Sequence, residues 1–259
     1  MKILKFTVIS FIYVLVFACS SDLETVVNQE SEIDALTVKT IINTSELSGF
    51  ADGILIEIFN SDESGKSARK TDCYTSETNG LTTTLTFTNC VFEGNDAVNG
   101  SIRAEYILDG NDIGLKITYI DLSVGNNQIS GTRKMYFDVS QQMGQTSILV
   151  ESDVQIGLED GTLILEEGSK VIWYDENTSE GQKITIDGEW TVTSDGRTFN
   201  VIIEENLETI LPCEYIGKGR MVISENESVV SIDFGNGECD DMATFTAPNG
   251  DIKVISLRY

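Results

Sequence analysis

The amino-acid sequence predicts an all-β fold of antiparallel hairpins, with one short helix near the N-terminus. Apolar residues alternate with polar ones in several short runs, among them LTTTLTFT, DIGLKITYI and TFNVII. Turn dipeptides such as Asp109-Gly110 and Asn249-Gly250 fall between those runs. Only one stretch, near the start of the chain, has the apolar spacing of an amphipathic helix. Together these observations predict strands joined by tight turns.

An export signal is predicted at the start of the chain. Lys2 and Lys5 precede an apolar run of 13 residues, Phe6 to Ala18, which is shorter than the roughly 20 residues of a membrane-spanning helix. The run ends in Val-Phe-Ala and is followed by Cys19, a pattern that resembles the lipobox of bacterial lipoproteins. We therefore predict that residues 1–18 are a signal peptide and that acyl chains on Cys19 anchor the protein to a membrane. The alternative is an ordinary secretory signal followed by an incidental cysteine.

A flexible tether is expected between this anchor and the folded domain. Residues 19–36 are mostly polar and acidic and contain no aromatic side chain, so they can bury little surface. The remaining residues, 37–259, are enough for a single β-rich domain, and no linker rich in proline or serine divides them. A division into two lobes near residues 140–145 is the alternative.

One helix is expected early in this domain. Its apolar residues follow the i, i+3, i+4, i+7 spacing over three turns and are Leu47, Phe50, Ala51, Ile54, Leu55, Ile58 and Phe59. Thr44 or Ser45 is the expected N-terminal cap, because a hydroxyl there can accept a hydrogen bond from a free backbone N–H. The alternative is a strand from Ile54 to Phe59, in which the isoleucines alternate with other residues.

Glycines recur at steps of 27 to 31 residues through the β-rich region. They are Gly100, Gly131, Gly161, Gly188, Gly219 and Gly250. A unit of about 30 residues accommodates two strands and their turns, so the repeat predicts a stack of antiparallel hairpins, arranged as a sandwich or as a curved, barrel-like sheet. Where the glycine lies inside an apolar run, as in VNGSI, IDGEW and GKGRM, we expect a β-bulge or bend. A parallel β-solenoid is the alternative.

The cysteines indicate an oxidising compartment. The chain has five cysteines, and an even number is left once Cys19 is assigned to the anchor. Three pairings of these four are possible, and we favour Cys73–Cys90 with Cys213–Cys239 because each pair is local and brackets turn-rich sequence. The spacings lack the C-x-x-C pattern of zinc sites, and the chain contains no histidine.

Composition argues against several classes of function. The net charge is −25, and loss of residues 1–18 would make it −27, because that segment carries two lysines and no acid. So acidic a chain is repelled by nucleic acid and by anionic lipid head groups, and we expect no nucleic-acid partner. The absence of histidine excludes Ser-His-Asp and Cys-His catalysis and the HExxH metal site. We therefore expect a protein that is not an enzyme and carries no cofactor.

Carboxylates are the main groups on which a hydrolase could rely. Two glutamate doublets, Glu166-Glu167 and Glu204-Glu205, are adjacent in sequence. Neighbours on a strand face opposite sides of the sheet, so we expect neither doublet to form a catalytic pair by itself.

A calcium hypothesis comes from the C-terminal region. Asp233, Asp240 and Asp241 lie with Glu238 around the turn at Gly235–Gly237. Carboxylates in a glycine-rich loop suit Ca²⁺, but the spacing is not that of an EF-hand. A structural turn crosslinked by its cysteine is the favoured interpretation.

A glycan-binding hypothesis comes from the aromatic residues. Trp173 and Trp190 could form a platform on which sugar rings stack. Tyr174 lies on the other face of the strand from Trp173, so only one of these two can join Trp190. Large aromatic side chains are more often part of the core, which is the favoured interpretation.

Several stretches resemble a group of β-rich lipoproteins of the Bacteroidetes. The resemblance is carried by LTFTNC, VNGSI, LSVGNNQISGT, LPCEYIGKGRMVIS and above all by the ending IDFGNGECDDMATFTAPNGDIKVISL with its F-G-x-G-x-C-D turn. It implies an envelope lipoprotein with two disulfides and assigns no activity. The SSDLE that follows the lipobox is less acidic than the export run of surface-exposed members. The membrane face on which the protein is displayed therefore stays open.

These observations predict an outer-membrane lipoprotein of the cell envelope that serves as a non-catalytic binding or assembly module. Its partners would be the membrane, through the anchor, and an envelope protein or a polysaccharide. The alternative is a carboxylate-based hydrolase or a glycan-binding protein that acts on surface polysaccharide. A deep cleft with two facing carboxylates would favour the hydrolase, whereas an apolar surface patch would favour a partner protein.

Overall fold

The computed structural model describes residues 33–63, 73–92, 96–109, 112–138, 145–178 and 181–257, which belong to one compact unit, Glu32–Tyr259. These residues form one helix, α1 (Ala35–Glu63), followed by thirteen strands. The strands are β1 (Tyr74–Asn79), β2 (Thr82–Val91), β3 (Ala97–Asp109), β4 (Asp112–Val124), β5 (Asn127–Asp138), β6 (Gln145–Gly157), β7 (Leu163–Thr178), β8 (Gly181–Ser194), β9 (Arg197–Ile210), β10 (Lys218–Glu225), β11 (Ser228–Asn236), β12 (Met242–Thr246) and β13 (Ile252–Ser256).

Every strand pairs in antiparallel orientation with its neighbours in sequence, and the strand order in the single sheet runs from β1 to β13. This arrangement confirms the predicted all-β hairpin fold with an N-terminal helix, and the parallel solenoid is wrong. The predicted alternative of two lobes receives no support from the sheet, because β5 and β6 pair continuously on either side of the connection near residues 140–145. Residues 139–144 themselves lie outside the described part of the chain.

The predicted bulges are present at glycines inside strands. The pairing register shifts at Gly100 in β3, at Gly188 in β8 and at Gly219 in β10. Gly100 has a φ of +97°, and a Cβ atom built there would lie 2.1 Å from the carbonyl oxygen of Asp121. Only glycine fits this close approach of two backbones, so the glycine repeat marks places where long strands bend.

Helix α1 is present but begins earlier than predicted. Asp34 caps it, because its Oδ1 accepts hydrogen bonds from the backbone N–H and the hydroxyl of Thr37, both at 2.8 Å. The bond from the Thr37 N–H holds the pKa of the Asp34 carboxyl below its usual range. Thr44 and Ser45 lie inside the helix, so their predicted capping role is wrong, as is the strand alternative. Ile33 is buried, so residues 33–36 of the expected tether belong to the fold.

Helix α1 packs along one face of the sheet, here called the inner face. Its earlier residues, including Val38 and Ile41, join an apolar core formed by strands β7 to β13. Its later residues, including Ala51 and Ile54, join a second apolar core formed by strands β2 to β6. One helix therefore supports both halves of the sheet, and its stability comes from this packing.

Both predicted disulfides are confirmed. Cys73–Cys90 joins the start of β1 to β2, with Cα atoms 5.2 Å apart. Cys213–Cys239 joins the β9–β10 connection to the β11–β12 connection, with Cα atoms 5.7 Å apart. The crosslinks therefore lie near the two ends of the sheet. Among the described residues, no helix combines the length and the apolarity needed to cross a membrane.

Candidate functional site

A groove of about 890 Å³ lies between helix α1 and the turns at one end of the strands. The connections β2–β3, β4–β5, β6–β7 and β8–β9 all occur at this end, because alternate turns of an antiparallel meander lie on the same side. The helix contributes one long wall and these turns contribute the other. We call this the α1 groove, and its lining consists of Leu36, Thr37, Thr40, Ile41, Asn43, Thr44, Glu46, Leu47, Phe50, Asp96, Val124, Asn127, Leu158, Glu159, Asp160, Thr162, Ile164, Val192, Ser194, Asp195, Arg197 and Phe199.

The floor of the α1 groove is apolar. Buried side chains of the core, among them Ile164, Val192 and Phe199, form its base. Leu36 lies at one end of the helical wall and exposes 64% of its surface. Such a concave, largely apolar surface with polar groups at its margin is the usual form of a ligand or peptide site.

The rim of the α1 groove is acidic. Five carboxylates contribute to the lining, and they are Glu46, Asp96, Glu159, Asp160 and Asp195. Arg197 is the only base among the described lining residues. Its Nε donates to the Glu225 carboxylate at 2.9 and 3.1 Å, and its guanidinium lies 4.8 Å from the centre of the Phe199 ring. The Arg197–Glu225 pair lowers the pKa of Glu225, so this cation already has a carboxylate partner.

The acidic turns are held in place by local hydrogen bonds. Asp160 Oδ1 accepts a hydrogen bond from the Thr162 N–H at 2.8 Å, which lowers the pKa of the Asp160 carboxyl. The Glu159 N–H donates to Asn127 Oδ1 at 3.3 Å, which links two neighbouring turns. Asp195 has a φ of +52°, as a tight hairpin turn requires. The rim is therefore built into the turns of the sheet.

Two polar side chains on the helical wall, those of Glu46 and Asn43, lie in unfavourable surroundings. Partial desolvation raises the pKa of the Glu46 carboxyl, although the side chain keeps contact with solvent. The buried Nδ2 of Asn43 has no hydrogen-bond acceptor among the described residues. Uncompensated polar atoms in a groove favour a ligand that supplies cationic or accepting groups.

A second polar region, here called the charged seam, lies under the helix between the two apolar cores. It consists of Arg133 on β5, Glu166 and Lys170 on β7, and Ser45 and Ser48 on α1. Arg133 Nη2 donates to Glu166 Oε1 at 2.8 Å and to Ser48 Oγ at 2.7 Å. Lys170 Nζ lies 3.4 Å from Glu166 Oε1 and also donates to Ser45 Oγ. Both cations of the seam therefore contact the helix as well as the buried glutamate.

Burial and charge act in opposite directions on Glu166. Its side chain is 0% exposed and that of Arg133 is 4% exposed. Burial raises the pKa of the Glu166 carboxyl, but attraction to Lys170 and Arg133 lowers it by more, so the net direction is downward. Lys170 Nζ also lies 4.1 Å from the centre of the Trp190 ring, which favours a cation. Glu166 is thus an ionised group that holds the helix on the sheet, and it does not line the groove.

The two glutamate doublets differ from each other. Glu166 is buried and Glu167 is exposed, which confirms that these neighbours face opposite ways. Glu204 and Glu205, by contrast, are both exposed and both pair with Arg220, at 3.1 and 2.8 Å. The prediction of opposite faces is wrong there, because the register of β9 and β10 shifts beside Arg220.

The two tryptophans do not form a common platform. Trp190 is buried in the core of strands β7 to β13. Ile172 and Tyr174 pack against the other core, so Trp173, which lies between them on β7, faces the outer side of the sheet. The predicted sugar platform of Trp173 and Trp190 is therefore wrong, since the sheet separates the two rings.

The carboxylates proposed as calcium ligands hold local structure. Asp233 Oδ1 and Asp240 Oδ1 accept hydrogen bonds from the N–H groups of Gly235 and Met242, at 2.8 and 2.9 Å. Asp241 Oδ2 accepts one from Ser256 Oγ at 2.6 Å. The described part of the chain contains no group of three acidic, cysteine or histidine side chains arranged to hold a metal ion. The calcium hypothesis thus rests on composition alone and stays a prediction.

The predicted lipidation site, Cys19, lies outside the described residues. Comparison with protein families, curated proteins and solved structures gives no match to this chain.

The α1 groove and the charged seam were both missed by sequence reasoning. The sequence did carry one signal for the seam. Arg133 lies two residues before the inward-facing Met135, and Glu166 lies two residues after the inward-facing Ile164, so strand alternation places both charged side chains on the inner face.

Proposed function

We propose that this protein is a membrane-anchored lipoprotein of the cell envelope and that its folded domain is a non-catalytic binding module. The α1 groove is its binding surface. The observation that carries the proposal is a long groove with an apolar floor, an acidic rim and an exposed leucine at one end. These are the features of a surface that recognises a partner by burying apolar groups and pairing charges.

The envelope location is supported by separate features. The lipobox-like sequence before Cys19 supports an anchor on a membrane. Two disulfides support an exported protein, because such crosslinks persist in oxidising compartments. The acidic tether would hold the groove away from anionic lipid head groups, where a protein partner could reach it.

Site-specific crosslinking in intact cells tests this proposal. A photoreactive benzoylphenylalanine would replace Leu36 in the groove, and the matched control would place it at Ile252 on the edge strand. These positions are comparably open, with 64% and 69% of their surfaces exposed. We expect one discrete crosslinked partner from position 36 and none from position 252.

The same experiment with Cys19→Ser tests the anchor. We expect the unsubstituted protein in the membrane fraction, and we expect the serine variant to leave that fraction and to lose its crosslink at position 36. Equal crosslinking from positions 36 and 252, or no crosslinking from either, would contradict a binding role for the groove. Release of a sugar from envelope polysaccharide that Glu46→Gln abolishes would instead favour the competing hydrolase.

A further inference from the structure

The helical wall of the α1 groove carries a regular stripe of side chains. The stripe consists of Leu36, Thr40, Asn43, Leu47 and Phe50, which follow steps of four and three residues. Such steps keep side chains on one side of a helix, and they are the spacing by which two helices pack together in a coiled coil. None of the five residues is fully buried. Over this length a helix rises by about 21 Å, which is enough for four turns of a second helix.

The charged residues around this stripe are mostly acidic. Five carboxylates line the groove, and the only base among the described lining residues is tied to Glu225. Desolvation without a described cationic partner raises the pKa of Glu46, which lies beside the stripe. A ligand with basic groups would compensate these carboxylates, whereas an anionic ligand would be repelled.

We propose that the α1 groove binds a basic amphipathic helix of a partner protein. This inference rests on the proposed function and names the partner of the same site. The apolar side of the partner helix packs on the stripe from Leu36 to Phe50, in the manner of a helix laid in a groove. Its lysines or arginines lie over the turns that carry Asp160 and Asp195. A second copy of this chain is a poor occupant, because each copy has a charge of −25.

Synthetic peptides of about 15 residues test the inference, since that length matches the stripe. The probe contains leucines at steps of four and three, with lysines elsewhere. One comparison peptide has glutamate in place of every lysine, and another has prolines inside the helix, which prevent helix formation. Each peptide carries a fluorescent label, and the full chain with Cys19→Ser, which lacks the predicted lipidation site, is titrated into it while anisotropy is measured. We expect the lysine probe to bind and both comparison peptides to bind at least about tenfold more weakly.

Charge-matched variants separate the groove from general attraction to an acidic protein. Asp160→Asn with Asp195→Asn removes two charges from the rim. Asparagine can keep both turns, because it tolerates the positive φ of Asp195 and its amide oxygen can accept the hydrogen bond that Thr162 donates to Asp160. Glu214→Gln with Glu238→Gln removes two charges from exposed residues at the opposite end of the strands, and neither side chain joins an ion pair among the described residues. We expect the groove pair to weaken binding about fivefold or more and the control pair to weaken it less than about twofold.

Several results would overturn the inference. Equal weakening by the two pairs of variants would show that the peptide binds by net charge alone. Equal binding of the proline peptide would exclude a helical occupant, and equal binding of the glutamate peptide would exclude a basic one. A partner crosslinked at position 36 together with no binding of the lysine probe would reject this inference while leaving the proposed function intact. Failure of both experiments would reject both proposals.

Discussion

Helix α1 meets polar groups on two of its sides, and the two sets differ in their balance of charge. In the charged seam, Glu166 is paired with Arg133 and Lys170, and both cations also bind serines of the helix. In the α1 groove, carboxylates outnumber bases. Each region also holds a buried polar atom with no hydrogen-bond partner among the described residues, Glu166 Oε2 in the seam and Asn43 Nδ2 in the groove. The seam is therefore suited to holding the helix on the sheet, and the groove is suited to binding something else.

The comparison also explains where the seam lies. Two apolar cores pack against the earlier and the later parts of the helix, and the seam lies between them. Apolar contacts are non-directional, so they alone would tolerate sliding of the helix along the sheet. Ion pairs and hydrogen bonds at a single point require one alignment. We infer that the seam fixes the position of α1 and thereby the shape of the groove.

The largest expected effect comes from removal of the buried anion. Glu166→Gln leaves Arg133 and Lys170 without their shared carboxylate, and loss of one partner of a buried ion pair typically costs about 3–5 kcal/mol of unfolding free energy. Urea denaturation followed by tryptophan fluorescence measures this change. Glu167→Gln is the matched control, because the neighbouring side chain is exposed and its loss should cost less than about 0.5 kcal/mol. A loss below about 1 kcal/mol for Glu166→Gln would show that the seam does not hold the helix.

A smaller effect on stability is expected from substitution of two polar residues of helix α1, and the two variants should differ from each other. Ser48→Ala removes the oxygen that accepts a hydrogen bond from Arg133, and leaving a buried donor unsatisfied costs about 1–3 kcal/mol. Asn43→Ala removes an amide whose Nδ2 has no described acceptor, and alanine favours helix, so stability should stay equal or rise by up to about 0.5 kcal/mol. Thermal unfolding of both variants checks the contrast. Similar losses of unfolding free energy in the two variants would mean that Asn43 on the groove side of α1 makes interactions as strong as those of Ser48 on the seam side.

The sequence supported the fold better than it supported either polar region. Turn dipeptides and alternating residues are local signals, so they predicted antiparallel hairpins without tertiary information. Glycines inside VNGSI, IDGEW and GKGRM predicted real bulges, since a positive φ is a requirement of the backbone itself. The disulfides followed from their short separations. These features share one property, which is that the residues responsible lie close together in the chain.

The missed features depend on residues that are distant in sequence. Arg133 and Glu166 come together only because β5 and β7 flank β6 in the sheet. The first turns of α1 contain many β-branched residues and have weak helix propensity, so the sequence alone does not distinguish the start of the helix from the tether. Packing of Val38 and Ile41 against the later strands overrides that propensity. The groove exists only once the helix has packed on the sheet, so no local sequence pattern could predict it.

The smallest expected effect is a difference in pH dependence between the seam and the groove. The pKa of Glu166 is lowered in the folded protein, so its contribution to stability is full above the ordinary glutamate pKa of about 4.3 and is lost as the pH falls below it. The pKa of Glu46 is raised, so its contribution has the opposite sign and is lost as the pH rises through the raised value. Glu46→Gln should therefore raise unfolding free energy at neutral pH, by less than about 0.5 kcal/mol for so open a side chain.

Urea denaturation of the unsubstituted protein and the two glutamine variants, from pH 7 down to about pH 2, measures both slopes. Glu166→Gln should flatten the loss of stability on acidification, because the ionised glutamate responsible for it is gone. Glu46→Gln should steepen that loss slightly, because a group that gains stability on protonation is gone. If both variants shift the profile in the same direction, the two glutamates share one environment, and the division of α1 into a side with paired charges and a side with unpaired carboxylates is wrong. Addition of the basic probe peptide sharpens the test, since a lysine bound beside Glu46 would lower its pKa and remove its share of the slope.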